Sequence, residues 1–187
     1  MRHFFNECSE QIRPDILANN AGINSKGRTV DFSFKDFSDI LSVNLSSTYR
    51  VTQACLPSMT EKRWGRIINI TSVWSILGNA NSSAYCALKF AVDGFTAFLA
   101  AEVAHYGILV NAIAPGYVLT EQVKRKYSDA EIKNAASFIP AGRLAEPFEI
   151  GELAAWLASE KNTYISGQNI CVDGGLTWTA HPRSVDD

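Results

Sequence analysis

Arg66-Ile-Ile-Asn-Ile-Thr-Ser-Val-Trp-Ser-Ile-Leu-Gly-Asn-Ala-Asn-Ser-Ser-Ala-Tyr-Cys-Ala-Leu-Lys89 carries the reading of this 187-residue chain. Its opening, Arg66 to Ile70, is an apolar run that reads as a buried strand. From Ala84 to Tyr106 apolar side chains recur with helical spacing. Ser72 falls just beyond the strand, while Tyr85 and Lys89 are four residues apart on the helix and so share one face. A hydroxyl, a phenol and an ammonium can then converge. That trio suits moving a proton on or off an alcohol or carbonyl oxygen.

Outward from this stretch the same two periods alternate. Residues 3–13 read as the tail of an amphipathic helix stopped by Pro14. Asp15 to Ala18 is a short strand entering the turn signal Asn19-Asn-Ala-Gly22. Phe34 to Leu41 and Leu45 to Met59 have helical spacing, and Ile108 to Ile113 is a third strand closed by Pro115-Gly116. Thr120 to Ser137 is polar, helical and expected to be mobile. Pro147 suits the first turn of a helix running through Ser159. Gln168 to Val172 is a fourth strand ending in Asp173-Gly-Gly175, and a polar tail from Thr177 is expected to fray. Four two-sided apolar strands alternating with helices predict an α/β fold, a parallel sheet covered on both faces. Such sheets bind ligands beyond the carboxyl ends of their strands. Asn19-Asn20, Ser72, Pro115-Gly116 and Gly174 all follow such ends.

Composition narrows the function classes. The length predicts a single domain with a real core. Net charge is −2 and the basic residues are dispersed, so neither a nucleic-acid nor a membrane partner is expected. The first ten residues lack a signal-peptide apolar region, and Glu102 and His105 interrupt the longest apolar run short of a membrane span. Cys8, Cys55, Cys86 and Cys171 lie far apart and read as reduced thiols of a cytoplasmic protein. His3, His105 and His181 are equally scattered, so no metal site is expected. Asn44-Leu-Ser and Asn69-Ile-Thr match the glycosylation triplet but fall in segments expected to be buried.

Tyr-x-x-x-Lys alone is a weak signal. Six tyrosines and eight lysines in this length give about 0.3 chance matches. The ordered set Asn19-Asn-Ala-Gly22, Asn44, Ser72, Tyr85, Lys89, Pro115-Gly-x-x-x-Thr120 and Val172-Asp-Gly-Gly175 is far more specific. Over about residues 3–176 it resembles the classical short-chain dehydrogenase/reductase family, in particular the beta-ketoacyl carrier-protein reductases and related sugar or polyol dehydrogenases. The resemblance implies a Rossmann-like, doubly wound parallel sheet. It also implies NAD- or NADP-dependent interconversion of a ketone and a secondary alcohol, in a homodimer or homotetramer.

The resemblance further implies residue roles. Tyr85 would be the general acid in reduction and the base in oxidation, with the Lys89 ammonium lowering the phenol's pKa. Ser72 would grip the substrate oxygen. Asn44 would hold a water in a proton relay to the lysine, a role compatible with satisfying a local helix irregularity. Asn20, Ala21, Gly22, Tyr85, Lys89, Pro115, Gly116, Val118 and Thr120 match positions at the cofactor. Trp74, Ile76 and Tyr117 would line the substrate pocket beside Ser72, or else belong to the core. Residues 120–137 match the family's variable lid.

One family feature is missing. None of the twelve glycines forms the Gly-rich turn that binds the cofactor pyrophosphate. The expectation is therefore an N-terminally truncated member without the first βαβαβ half, short by roughly 65 residues, more than one supersecondary unit. About four strands would remain, the first with an open edge. A non-catalytic chain acting through dimerisation is the competing reading, and a plain nucleotide-binding module a third.

Overall fold

The computed structural model describes residues 13–179. The helix expected over residues 3–13 therefore lies, except for Arg13, outside the described residues, as does most of the tail. Four strands form one sheet in the order β1 (Ile16–Asn19), β2 (Gly65–Ile70), β3 (Ile108–Pro115), β4 (Asn169–Val172). Every pairing is parallel, with Ala18 opposite Ile68, Ile68 opposite Asn111 and Ala112 opposite Asn169. The α/β expectation holds. Strand ends differ by one or two residues from those read in the sequence, and β3 runs on through Pro115.

Period-two burial divides the core between the sheet's faces. Ile67, Ile108 and Val110 pack with Cys55, Met59, Leu99 and Val103 under α2 (Ser47–Lys62) and α3 (Ser83–Val103). Ile68 and Ile113 point the other way, onto Leu157 of α6 (Pro147–Ala158). Fully burying one such aliphatic side chain is worth about 1.5–3 kcal/mol. This supplies the glue of a sheet whose β2 and β3 are covered on both sides. Helix α1 (Phe34–Leu41) opens on Ser33, whose hydroxyl accepts from the Lys35 and Asp36 amides. Helix α6 opens with Pro147 at its first turn, as expected, and a reciprocal cap between Glu146 and Glu149.

Three local features depart from the sequence reading. Between α1 and α2 the chain is wound as a π-turn, Ser42–Ser46, which contains Asn44. Residues 120–137 form two short helices, α4 (Glu121–Lys126) and α5 (Asp129–Ser137), because Ser128 and Glu131 build a capping box that starts a new helix. Beyond β4 a turn at Leu176–Trp178 continues the fold, with the Thr177 amide donating to Asp173. Both glycosylation-like asparagines, Asn44 and Asn69, are buried. No helix of the described residues is long and apolar enough to cross a membrane.

Candidate active site

With all strands parallel, their carboxyl ends gather the segments after β1, β2, β3 and β4 at one edge of the sheet. A buried polar tie locks this edge to the helices beside it. The Asn19 side chain donates to Asn69 (2.8 Å) and Thr52 (3.1 Å), and Asn69 donates to Thr96 of α3 (2.9 Å). Each amide thus recovers in the protein the hydrogen bonds it loses from water.

The expected trio meets here. Ser72, in extended backbone after β2, caps the short turn Val73–Ser75. Its hydroxyl lies close enough to the half-buried Tyr85 phenol to draw the phenol's pKa down. One turn along α3, the Lys89 ammonium donates to the Ile70 carbonyl at 2.7 Å and lies 5.7 Å from the centre of the Tyr85 ring. Lys89 is only 5% exposed, and burial draws its pKa down to about 8, with Asp93 opposing. The Tyr85 phenol moves the opposite way to expectation. Burial pushes it above its ordinary value, and only the Ser72 hydrogen bond draws it down. The ammonium is turned to the Ile70 carbonyl, so desolvation of the phenolate dominates.

Asn44 and the turn after β1 close the other side. The Asn44 side chain grips Ile23, accepting from its amide at 2.8 Å and donating to its carbonyl at 2.9 Å. The π-turn aims Asn44 inward, and its carbonyl accepts from Thr48. A Cβ on Gly22 would stand 3.5 Å from Asn44 Oδ1 and 3.6 Å from Lys89 Nζ. The exposed backbone Asn20-Ala21-Gly22 therefore runs over the ammonium. Pro115 ends β3, and Gly116 packs so tightly on Asp173 that a Cβ would meet its Cα at 2.9 Å. Val118 bridges to Ala145, and the Thr120 hydroxyl caps α4. Asp173 shapes the final turn by accepting from the Gly175 and Thr177 amides.

A cavity of about 420 Å³ opens beside this cluster. Trp74 and Tyr117 both line it and meet edge-on, with ring centres 5.8 Å apart. Trp74 also packs against the Val73 cluster, so it serves wall and core together. Ile76 is 55% exposed and takes no part. Val123 of α4, Glu131 and Ile132 of α5 and Tyr127 between them also line the cavity, together with Asn24, Lys26 and Asn79. Ser72, two residues before Trp74, and Tyr85 do not line it, against the expectation that Ser72 belongs to the pocket. The polar wall residues gave no signal in the sequence, because they come from loops without periodicity.

Comparisons with known proteins agree with this fold. A family model described as enoyl-(acyl carrier protein) reductase matches residues 1–177. The chain belongs to the short-chain dehydrogenase/reductase family. It is 42% identical over 162 residues to a 3-oxoacyl-(acyl-carrier-protein) reductase of Vibrio cholerae, covering 87% of this chain and 66% of that protein. Nodulation protein G of Azospirillum brasilense is 43% identical over 165 residues, with 88% and 66% covered. The chain thus spans just under two thirds of these curated relatives. Among solved structures, a gluconate 5-dehydrogenase of Burkholderia cenocepacia in complex with NADP and tartrate superposes with a TM-score of 0.88 at 36% identity. That match covers 95% of this chain and 71% of that one. A putative gluconate dehydrogenase of Agrobacterium tumefaciens gives 0.89 at 33% identity, with 95% and 71% covered.

Proposed function

We propose that this chain carries the proton-handling half of an NAD(P)-dependent oxidoreductase that interconverts a small-molecule ketone and a secondary alcohol. One observation carries the reading: the Tyr85 phenol adjoins the Ser72 hydroxyl, and the Lys89 ammonium lies 5.7 Å from its ring centre, at the carboxyl edge of the sheet. In reduction Tyr85 gives its phenolic proton to the carbonyl oxygen, held by Ser72, and is left as a phenolate beside Lys89. A phenol kept above its ordinary pKa stays protonated and ready to donate. Lys89, near pKa 8, steadies the phenolate only while charged, so reductive turnover falls as pH rises through about 8. Asn44 acts as a positioning residue, fixing Ile23 and so the turn above Lys89.

A nicotinamide group, when bound, supplies or accepts the hydride. The residues present fit its ribose end. Asn20, Ala21 and Gly22 run bare over Lys89, and Pro115, Gly116, Val118 and Thr120 border the same edge. The sequence contains no Gly-rich turn for the pyrophosphate.

A second reading rests on exposed aromatics. Phe90 (67%) and Phe98 (80%) of α3 and Tyr49 (52%) of α2 form an apolar surface suited to self-association, with or without catalysis. Fluorescence titration with NADH and NADPH, run beside sedimentation, separates the two. Saturable binding together with ketone turnover that drops at least a hundredfold in Tyr85→Phe supports the oxidoreductase. Turnover within tenfold of the parent removes Tyr85 from its role, and association without binding favours the second reading.

A further inference from the structure

Asp93 is a carboxyl group for which the proton-transfer step above has no use. It lies on α3 one turn beyond Lys89, the i,i+4 spacing that puts both side chains on one face. Its Oδ1 is shut away from solvent and has no hydrogen-bond partner among the described residues. Burial raises its pKa, and hydrogen bonding from Ser75, Thr71 and Asn169, with the charge of Lys89, draws it back. Each of the two hydroxyls has a single proton, and each has another acceptor. Ser75 donates to the Ser72 carbonyl at 2.8 Å; Thr71 Oγ1 lies 3.0 Å from both the Ile113 carbonyl and Asn169 Oδ1, either of which takes its proton. The carboxyl therefore has more acceptor capacity than its neighbours fill. A carboxylate oxygen shut away from water is costly to ionise, and a nearby cation offsets that cost.

The groups around the pair are few. Facing Lys89 are Tyr85 and Asp93 from its own helix, the Ile70 carbonyl from β2 and Asn44 Oδ1 across Gly22. Facing Asp93 are Lys89, the residues Thr71 and Ser75 flanking Ser72, and Asn169 of β4; the Cys171 thiol of β4 also feels its charge. The two side chains are not in direct ion-pair contact, so they act on each other through the buried space between them.

We propose that Asp93 is a positioning residue for the Ser72–Tyr85–Lys89 site, its carboxylate balancing the Lys89 ammonium one turn away on the same face of α3. This rests on the reading of that trio as the proton-handling site, yet its test needs no turnover. The Lys89 side-chain methylene resonances of the 187-residue chain, assigned against Lys89→Arg, are followed by NMR across pH. Asp93→Asn keeps the size and removes the charge. The Lys89 midpoint then falls from about 8 by about half a pH unit or more, and Asp93→Glu restores at least part of it. A folded Asp93→Asn chain with an unmoved Lys89 midpoint overturns the proposal, since a purely structural role would leave that charge alone. The parent chain provides a second reading if the variant does not fold. Its Lys89 resonances must show a smaller inflection where the Asp93 carboxyl itself titrates, and a Lys89 curve blind to Asp93 overturns the proposal as well. If both titrations behave as stated while no ketone is turned over, Asp93 keeps its role and the oxidoreductase reading fails.

Discussion

Lys89 is a cation kept where water hardly reaches it, and that has a cost the folded chain bears at neutral pH. Its pKa stands near 8 folded against 10.5 free, a difference on the order of 3 kcal/mol. The sign follows from proton counting. Below about pH 8 both states hold the proton and the burial penalty is complete. Between about 8 and 10.5 the unfolded chain holds more protons, so stability rises with pH. In Lys89→Met this contribution disappears. The difference in urea stability between parent and variant should therefore grow in the parent's favour across that window; a constant difference would deny that Lys89 is titrating there. The trio's residues were legible because a four-residue helical spacing beside a strand end needs no tertiary information. Tyr85's upward shift was not. It depends on where the ammonium points, and the Ile70 carbonyl settles that from another element. Asp93 was open to the same i,i+4 argument as Lys89, and is hidden only by the apolar run around it.

At the scale of elements, helix starts decide how the site is framed. Helix α6 is pinned by Arg143, whose two guanidinium nitrogens reach Glu149 at 2.7 and 2.8 Å while the Glu146 amide donates to the same carboxylate. Together these hold the Glu149 carboxyl near pKa 2. Arg143→Ala should raise the Glu149 midpoint toward, though not to, the ordinary value, because the amide bond survives; carboxyl NMR reads this directly. A depressed carboxylate stabilises the fold above its ordinary pKa and loses that effect as pH falls toward 2. The variant should then differ from the parent mainly in acid, and modestly, since the pair faces solvent. Strands β2 and β3 were legible because burial on both faces writes a mostly apolar run, broken only by Arg66 and Asn69 in β2 and Asn111 in β3. The break at Ser128 was not read, because the polar pattern around Ser128-x-x-Glu131 suggested one helix. The π-turn at Ser42–Ser46 was not, since Asn44 is drawn inward by Ile23, twenty-one residues away in the chain.

Across the whole molecule, stability is unevenly spread. β1 has one strand neighbour among the described residues, and Ile16 is half exposed, while Ile67, Val110 and Ala112 are fully buried. Amide exchange should therefore be slowest at the centres of β2 and β3, opening only with global unfolding, and faster by at least about tenfold in β1. Equal protection in all four strands would contradict this gradient. The uniform strand direction has a last consequence. Successive crossovers add each strand to the same side, so the sheet has two rims with separable duties. The rim at Arg63, Gly107 and Gly167 can be lengthened or rebuilt as scaffold, while the opposite rim is free to vary its chemistry on an unchanged frame. Such a division of labour lets one architecture be retuned for new reactants without being refolded.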